Sequence, residues 1–169
     1  MNITDCKEGK LKKKLTAILT LAFAAALFMG FGPTSEMPGP DAAALWKYIT
    51  KDSPYKEWGF WGDHKDIQPG NSPHGPFHRV YVNEVLLKAE TTPVPYGSIQ
   101  VKESFDSNKN PTALTVMYKV EGFNPEAGDW YWARYSLEGQ AGPMGKVQGC
   151  IGCHAVKASN DYILVHDFK

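Results

Sequence analysis

The sequence lacks an excess of charge of either sign, since its 169 residues include 18 Lys and Arg against 18 Asp and Glu. Nucleic-acid-binding domains usually carry a basic excess, so this balance argues against DNA or RNA as a partner. It also gives no reason to expect an anionic membrane surface as partner. Cysteine is scarce as well, with only Cys6, Cys150 and Cys153. Three cysteines, two of them close together, cannot form a framework of several disulfides.

The composition is that of an ordered protein. Hydrophobic residues make up 43% of the chain and charged residues 21%, which is typical of a globular domain. Aromatic side chains are plentiful at 12%, and they suit either a β-rich core or the walls of a large flat cofactor. The length fits one domain with an N-terminal extension.

The first 32 residues have the pattern of an export signal. Five lysines occur within residues 1–14, and an apolar run follows from Leu15 to Phe31. This order is typical of a secretory signal peptide, and the run is also nearly long enough for an N-terminal membrane anchor. Both alternatives place the rest of the chain outside the cytoplasm, which predicts a periplasmic protein. We interpret residues 33–40 as a Pro-rich linker and residues 41–169 as the domain.

The domain shows mainly strand periodicity. Asp41 is a candidate cap for a short helix at 42–50, and a turn-rich loop follows over 51–77. Alternating or β-rich segments then predict strands, with a short helix over 83–89. The predicted strands cover 78–83, 98–105, 113–120, 129–137 and 161–168. Consecutive strands joined by turns predict a mainly β (α+β) fold, an antiparallel sheet with a few short helices.

Residues 150–154 read C-x-x-C-H, the signature of c-type haem attachment. Cys150 and Cys153 are spaced so that each can bond one vinyl group of a single porphyrin, and His154 is then held beneath the iron as proximal ligand. A structural zinc site would need four ligands, and no second Cys/His pair is visible. A redox dithiol normally begins a βαβ unit, which this sequence does not suggest.

The motif stands near the end of the chain, with only residues 155–169 after it. No methionine follows position 144, so any sixth iron ligand would have to come from upstream. A C-terminal motif also occurs in the four-helix cytochromes c′, but the strand periodicity and 12 prolines argue against a helix bundle.

Several segments resemble the cytochrome P-460 family, including its relative cytochrome c′-beta. The segments are YKEW (55–58), HGPFHRVYVN (74–83), SIQVKE (98–103), AGDWYWARY (127–135) and CIGCHAVKASNDYILV (150–165). The resemblance implies a mainly antiparallel β fold, usually dimeric, with one five-coordinate haem c. It also implies either binding of nitric oxide or oxidation of hydroxylamine.

Two positions of the resemblance separate these activities. Lys102 matches a lysine that is bonded to the porphyrin edge in the catalytic branch, although a strand lysine can equally face solvent. The catalytic branch also places a carboxylate over the iron as a proton acceptor, and the matching strand, 113–120, has no Asp or Glu. Leu114, Val116 or Met117 would stand there, which favours the gas-binding type.

Other candidate haem contacts come from the resemblance or from residue type. Phe77 matches a phenylalanine near the distal face, and Arg79 is a candidate partner for a haem propionate or a bound ligand. Ordinary core packing and a solvated arginine are the alternatives. His74, His78 and Met117 are candidates for a sixth ligand or, for the histidines, a distal hydrogen-bond donor.

We therefore expect a periplasmic, homodimeric cytochrome with one covalently attached haem c that binds nitric oxide or a related nitrogen-oxide ligand. One alternative is an enzyme, a hydroxylamine or nitric oxide oxidoreductase with a Lys102–haem cross-link. A second alternative is an electron-transfer cytochrome with a redox partner protein.

Overall fold

Six antiparallel strands in chain order form the centre of the structure, a computed structural model that describes residues 36–71 and 73–169. Each strand pairs with the next along the chain, so short turns suffice to join most of them. The strands are β1 (Gln68–Pro69), β2 (Phe77–Val82), β3 (Ile99–Phe105), β4 (Pro111–Lys119), β5 (Trp130–Tyr135) and β6 (Ala141–Gly145). The predicted mainly β fold with an antiparallel sheet is confirmed.

The helices are few and short. They are α1 (Ala42–Lys47), α2 (Glu84–Leu87) and α3 (Gln148–His154), with a π-helical turn at Tyr48–Asp52 and 3₁₀ turns at Tyr55–Glu57, Pro125–Ala127 and Ala155–Asn160. The Asp41 carboxylate accepts a hydrogen bond from the Ala44 backbone N–H at 2.8 Å, which starts α1 as predicted.

One face of the sheet carries the larger apolar core. Because side chains alternate along a strand, Val101 of β3, Val116 of β4 and Ala133 of β5 lie side by side across three strands. Helix α1 and the π-helical turn cover this face, with Leu45 and Ile49 fully buried against it. This layer supplies much of the hydrophobic stabilisation of the domain.

The opposite face is more polar and faces α3. Lys102 pairs with Val80 on one side and Thr115 on the other, and Met117 pairs with Gln100 and Trp132. A second apolar cluster closes the end of this face nearest α2. It contains Trp61, Val80, Val82, Leu86, Val94, Met117, Trp130, Trp132 and Ile163.

The prediction of a final strand over 161–168 is wrong. Asp161 and Tyr162 both adopt left-handed backbone conformations, with φ of 54° and 63°, which no strand residue can have. The alternating apolar residues of this segment instead bring Ile163 into the second cluster. Conversely, residues 141–145, for which no strand was predicted, pair with β5 as the edge strand β6.

The predicted leader, residues 1–32, lies outside the described residues. Part of the predicted linker is described: Met37 packs against the larger core, and the Pro38 carbonyl accepts a hydrogen bond from the Tyr118 hydroxyl at 2.7 Å. Within residues 36–71 and 73–169, no helix has the length and apolar character needed to cross a membrane.

We predict that Asn83→Ala lowers the free energy of unfolding by about 1–3 kcal/mol, because it leaves buried backbone groups without partners. The Asn83 Oδ1 accepts from the backbone N–H groups of Leu86 and Ile99, and its Nδ2 donates to the Gly97 carbonyl. Equilibrium denaturation in urea measures the change. Asn108→Ala, in an exposed turn, is the control and should change stability by less than about 0.5 kcal/mol. Equal effects would contradict the role of Asn83.

Candidate functional site

Helix α3 brings the C-x-x-C-H motif against the polar face of the sheet. The helix begins after Val147, whose carbonyl accepts from the backbone N–H groups of Cys150 and Ile151 at 3.0 Å each. His154, at the end of the helix, is only 6% exposed, and its ring lies 4.7 Å from the Trp132 ring, centroid to centroid. The motif histidine therefore points into the protein.

A single hydrogen bond determines the state of the His154 ring. Its Nδ1 lies 2.8 Å from the carbonyl oxygen of Tyr162. A carbonyl can only accept, so Nδ1 carries the proton and Nε2 keeps a free lone pair. Burial lowers the pKa of His154, and the hydrogen bond opposes this only partly. The ring is therefore neutral and ready to bind a metal through Nε2.

The His154 side chain, with the free lone pair of its Nε2, lines a cavity between α3 and the sheet. This cavity has a volume of about 90 Å³ and is lined by Pro73, His74, Gln100, Lys102, Thr115, Met117, Trp132, Gly149, Cys150, Cys153 and His154. A second cavity of about 350 Å³ shares His74, Thr115 and Cys150 with it. Together they fall in the size range of cofactor sites in proteins.

Lys102 is the charged residue of the cavity wall. It is 7% exposed, so the alternative of an ordinary solvated lysine is wrong. Burial lowers its pKa to about 8, and no carboxylate pairs with it within residues 36–71 and 73–169. An unpaired ammonium group at such a position is costly. An anionic ligand would stabilise this ammonium group. A covalent bond from the amine to a ligand would instead leave the nitrogen uncharged.

The lining residues fit a haem held by the motif. Among the described residues, Gln100 Oε1 and Trp132 Nε1 are buried without hydrogen-bond partners, as expected for walls that enclose a further group. The Cys150 and Cys153 thiols are free, half-buried and exposed respectively. Burial and the neighbouring Cys153 raise the pKa of Cys150, whereas a redox dithiol needs a lowered one.

The candidate distal histidines separate in the structure. His74 lines the cavity, 6.5 Å from His154 between ring centroids, and burial with the nearby Lys102 charge lowers its pKa to about 4. His78 is absent from the cavity lining and hydrogen-bonds through Nε2 to Nε2 of His64 at 2.8 Å. Of the two, His74 is placed to meet a ligand.

Phe77 and Arg79 do not line either of these cavities, and their contact with the haem stays a prediction. Both alternate with His78 on β2 and so lie on the sheet face that carries the larger core. Arg79 donates to the Tyr81 hydroxyl at 3.1 Å and lies 3.9 Å from the Glu103 carboxylate. The Phe77 ring is covered by the Lys109 ammonium group at 5.4 Å.

The apolar strand segment near 114–117 is divided by the same alternation. Leu114 and Val116 belong to the larger core, and of these three apolar candidates only Met117 lines the cavity, where it joins Thr115. The Met117 sulfur accepts a hydrogen bond from Gln100 Nε2 at 3.6 Å. The expected apolar cap therefore reduces to Met117 with the indole of Trp132.

Sequence reasoning missed Gln100 and Thr115 as cavity residues and the Tyr162 carbonyl as a partner of His154. The signal for Gln100 was present, because it shares a strand face with Lys102. Thr115 could be assigned only through its pairing with Lys102 in the sheet. The Tyr162 carbonyl could not be predicted, because every residue has a backbone carbonyl whatever its type.

Comparison with known proteins agrees with this geometry. A protein-family model described as Cytochrome P460 matches residues 52–165, more than half of the chain and all of the cavity lining. No curated protein matches the chain.

We predict that Lys102→Met raises the free energy of unfolding at pH 7 by about 2–3 kcal/mol, because it removes a buried unpaired charge. The folded-state pKa of about 8 lies below the ordinary 10.5. The buried Lys102 charge therefore lowers the stability of the wild-type protein in full below pH 8, and this cost disappears as the pH rises towards 10.5. The stability gained by Lys102→Met should shrink over the same interval.

Denaturation of the haem-loaded protein at several pH values measures this gain, with the exposed Lys51→Met as control. A loss of stability in Lys102→Met would contradict an unpaired Lys102 and indicate a bond or ion pair to the cofactor.

Proposed function

Because the chain belongs to the cytochrome P460 family, which implies a haem cofactor, we propose that it binds nitric oxide or a related small nitrogen-oxide ligand at one five-coordinate haem c. Cys150 and Cys153 would hold the haem by thioether bonds, formed when each S–H adds across a vinyl group. His154 Nε2 would bind the iron. The haem supplies an iron with a sixth position for a small ligand.

The lining of the cavity carries this proposal. Among the described residues, it contains no carboxylate, so it lacks the usual proton acceptor for oxidation of a substrate such as hydroxylamine. Met117 and Trp132 make part of the wall apolar, which suits uncharged diatomic ligands. Gln100 and Thr115 offer short polar groups that can orient a bound ligand.

A second candidate function is oxidation of hydroxylamine or nitric oxide. One observation favours it: the Lys102 amine is buried in the cavity wall, and its pKa of about 8 makes the neutral, nucleophilic form accessible. A covalent bond from this amine to a carbon of the porphyrin edge would remove the cost of the buried charge; it would replace one N–H and one C–H bond and would need a two-electron oxidant such as a peroxide. His74, which burial keeps neutral, would then be the available proton acceptor.

Electron transfer is the third candidate and requires a strong sixth ligand. Met117 and His74 are the cavity residues that could provide one. The hydrogen bond from Gln100 to the Met117 sulfur weakens the thioether as a ligand.

The proposal of a nitric-oxide-binding haem protein also includes export to the periplasm and a homodimer. Export is supported by the pattern of residues 1–32, and the homodimer by the family resemblance.

We predict a broad, high-spin visible spectrum for the dithionite-reduced protein, which changes on addition of nitric oxide. Met117→Leu and His74→Phe should leave the spectrum before addition unchanged, because neither side chain binds the iron. Met144→Leu, at an exposed position, is the control. A sharp, split, low-spin spectrum that either cavity variant converts to high spin would refute five-coordination and support electron transfer.

We predict that the haem stays on the motif peptide alone. Peptide mapping by mass spectrometry should find one haem on Cys150 and Cys153 and an unmodified Lys102 peptide. The double variant Cys150→Ser/Cys153→Ser should lose covalent haem, whereas Lys102→Arg should retain it. Haem attached to the Lys102 peptide would instead support the oxidoreductase.

A further inference from the structure

The carbonyl that binds His154 belongs to an unusual pair of residues. Asp161 and Tyr162 are consecutive and both left-handed, a conformation that side-chain-bearing residues rarely adopt. Such a backbone persists only where the surroundings hold it in place. The direction of the Tyr162 carbonyl therefore depends on whatever fastens this turn.

The Asp161 side chain fastens the turn through a buried ion pair. Its carboxylate is in direct contact with the Lys119 ammonium group, and both side chains are only 5% exposed. The same carboxylate accepts from the Val94 backbone N–H at 2.8 Å and from Trp130 Nε1 at 3.2 Å. Trp130 Nε1 also lies 2.9 Å from the Asp161 carbonyl.

Two of these partners, Lys119 and Trp130, belong to the sheet that forms the cavity wall. Lys119 of β4 and Trp130 of β5 are directly paired, and the Lys119 ammonium group donates to the Gly128 carbonyl at 3.0 Å as well. Met117 and Trp132, two residues along each strand, face the cavity. The ion pair thus ties the turn carrying the Tyr162 carbonyl to the strands opposite His154.

Stability alone is a poor reason for such a pair. The desolvation cost of two buried charges often cancels their attraction, and apolar replacements can be as stable. A fixed ion pair does, however, hold a backbone turn in one geometry. An acceptor bound to the far nitrogen of a ligating imidazole makes the near nitrogen more basic.

We propose that the Lys119–Asp161 pair is a positioning device that fixes the Tyr162 carbonyl against His154 Nδ1 and so sets how strongly His154 donates to the haem iron. The inference rests on the proposed function, because it takes His154 as the axial ligand. Lys119 and Asp161 are positioning residues, since neither lines the cavity.

The test compares the haem-loaded protein with three variants. Asp161→Asn removes one charge, Lys119→Met removes the other, and Trp130→Phe keeps both charges but removes the hydrogen bonds of the indole and part of its buried ring. Resonance Raman spectroscopy of the ferrous protein gives the iron–histidine stretching frequency, and redox titration gives the midpoint potential. Lys157→Met, in the exposed pair with Asp167 of the same C-terminal segment, is the control.

We expect the stretching frequency to fall and the midpoint potential to rise in both charge variants, with a smaller change in Trp130→Phe and none in Lys157→Met. If a charge variant fails to fold, the double variant Lys119→Met/Asp161→Asn, which buries no unpaired charge, should show the same shift. Variants that lose stability but keep the wild-type frequency and potential would overturn the inference, since the pair would then be merely structural.

Failure of the proposed function gives a different result. A wild-type ferrous protein without an iron–histidine stretching mode would overturn five-coordination by His154, whatever the variants show. A wild-type mode that no variant shifts would overturn the positioning role and leave the proposed function standing.

Discussion

The pairing register of strands β2 to β5 is the constraint on which the site depends. Side chains alternate along each strand, so a slip of one residue would exchange the two faces of the sheet. The observed register places Lys102 beside Thr115 and Met117 beside Trp132, all on the face that α3 covers. The same register sends Leu114, Val116 and Val101 to the larger core. The stability of that core therefore maintains the register that forms the cavity.

The electrostatics of the cavity follow from burial more than from charge pairing. Desolvation lowers the pKa of Lys102, His74 and His154 alike, and the Lys102 charge lowers the pKa of both histidines further. The outcome is a pocket with neutral imidazoles and one costly ammonium group. Such a pocket suits the haem cofactor that the family implies, whose ring is large and mostly apolar. The ion pair of Lys119 and Asp161 differs, because there each buried charge has a direct partner.

The two faces of the sheet differ in packing: one carries the larger apolar core and the other forms the cavity. The face under α1 is covered by Leu45, Ile49 and the aromatic rings packed with them. The face under α3 contains polar side chains without partners among the described residues, a feature that natural cores avoid unless a ligand completes them. The unpartnered side chains of Gln100 and Trp132 line the cavity and so agree with a cofactor site on this face.

The sequence by itself determined the chemistry of the motif and the outline of the sheet. C-x-x-C-H gives two thiols and an imidazole at a spacing that suits one haem, and alternation located β2, β3, β4 and β5 to within about two residues. Tertiary structure alone decided which strand face meets α3, and so assigned Gln100 and Lys102 to the cavity and Phe77 and Arg79 to the other side. It also replaced the expected final strand by the left-handed turn at Asp161 and Tyr162. A period of two shows that a strand has two faces, but what covers each face depends on contacts distant in sequence.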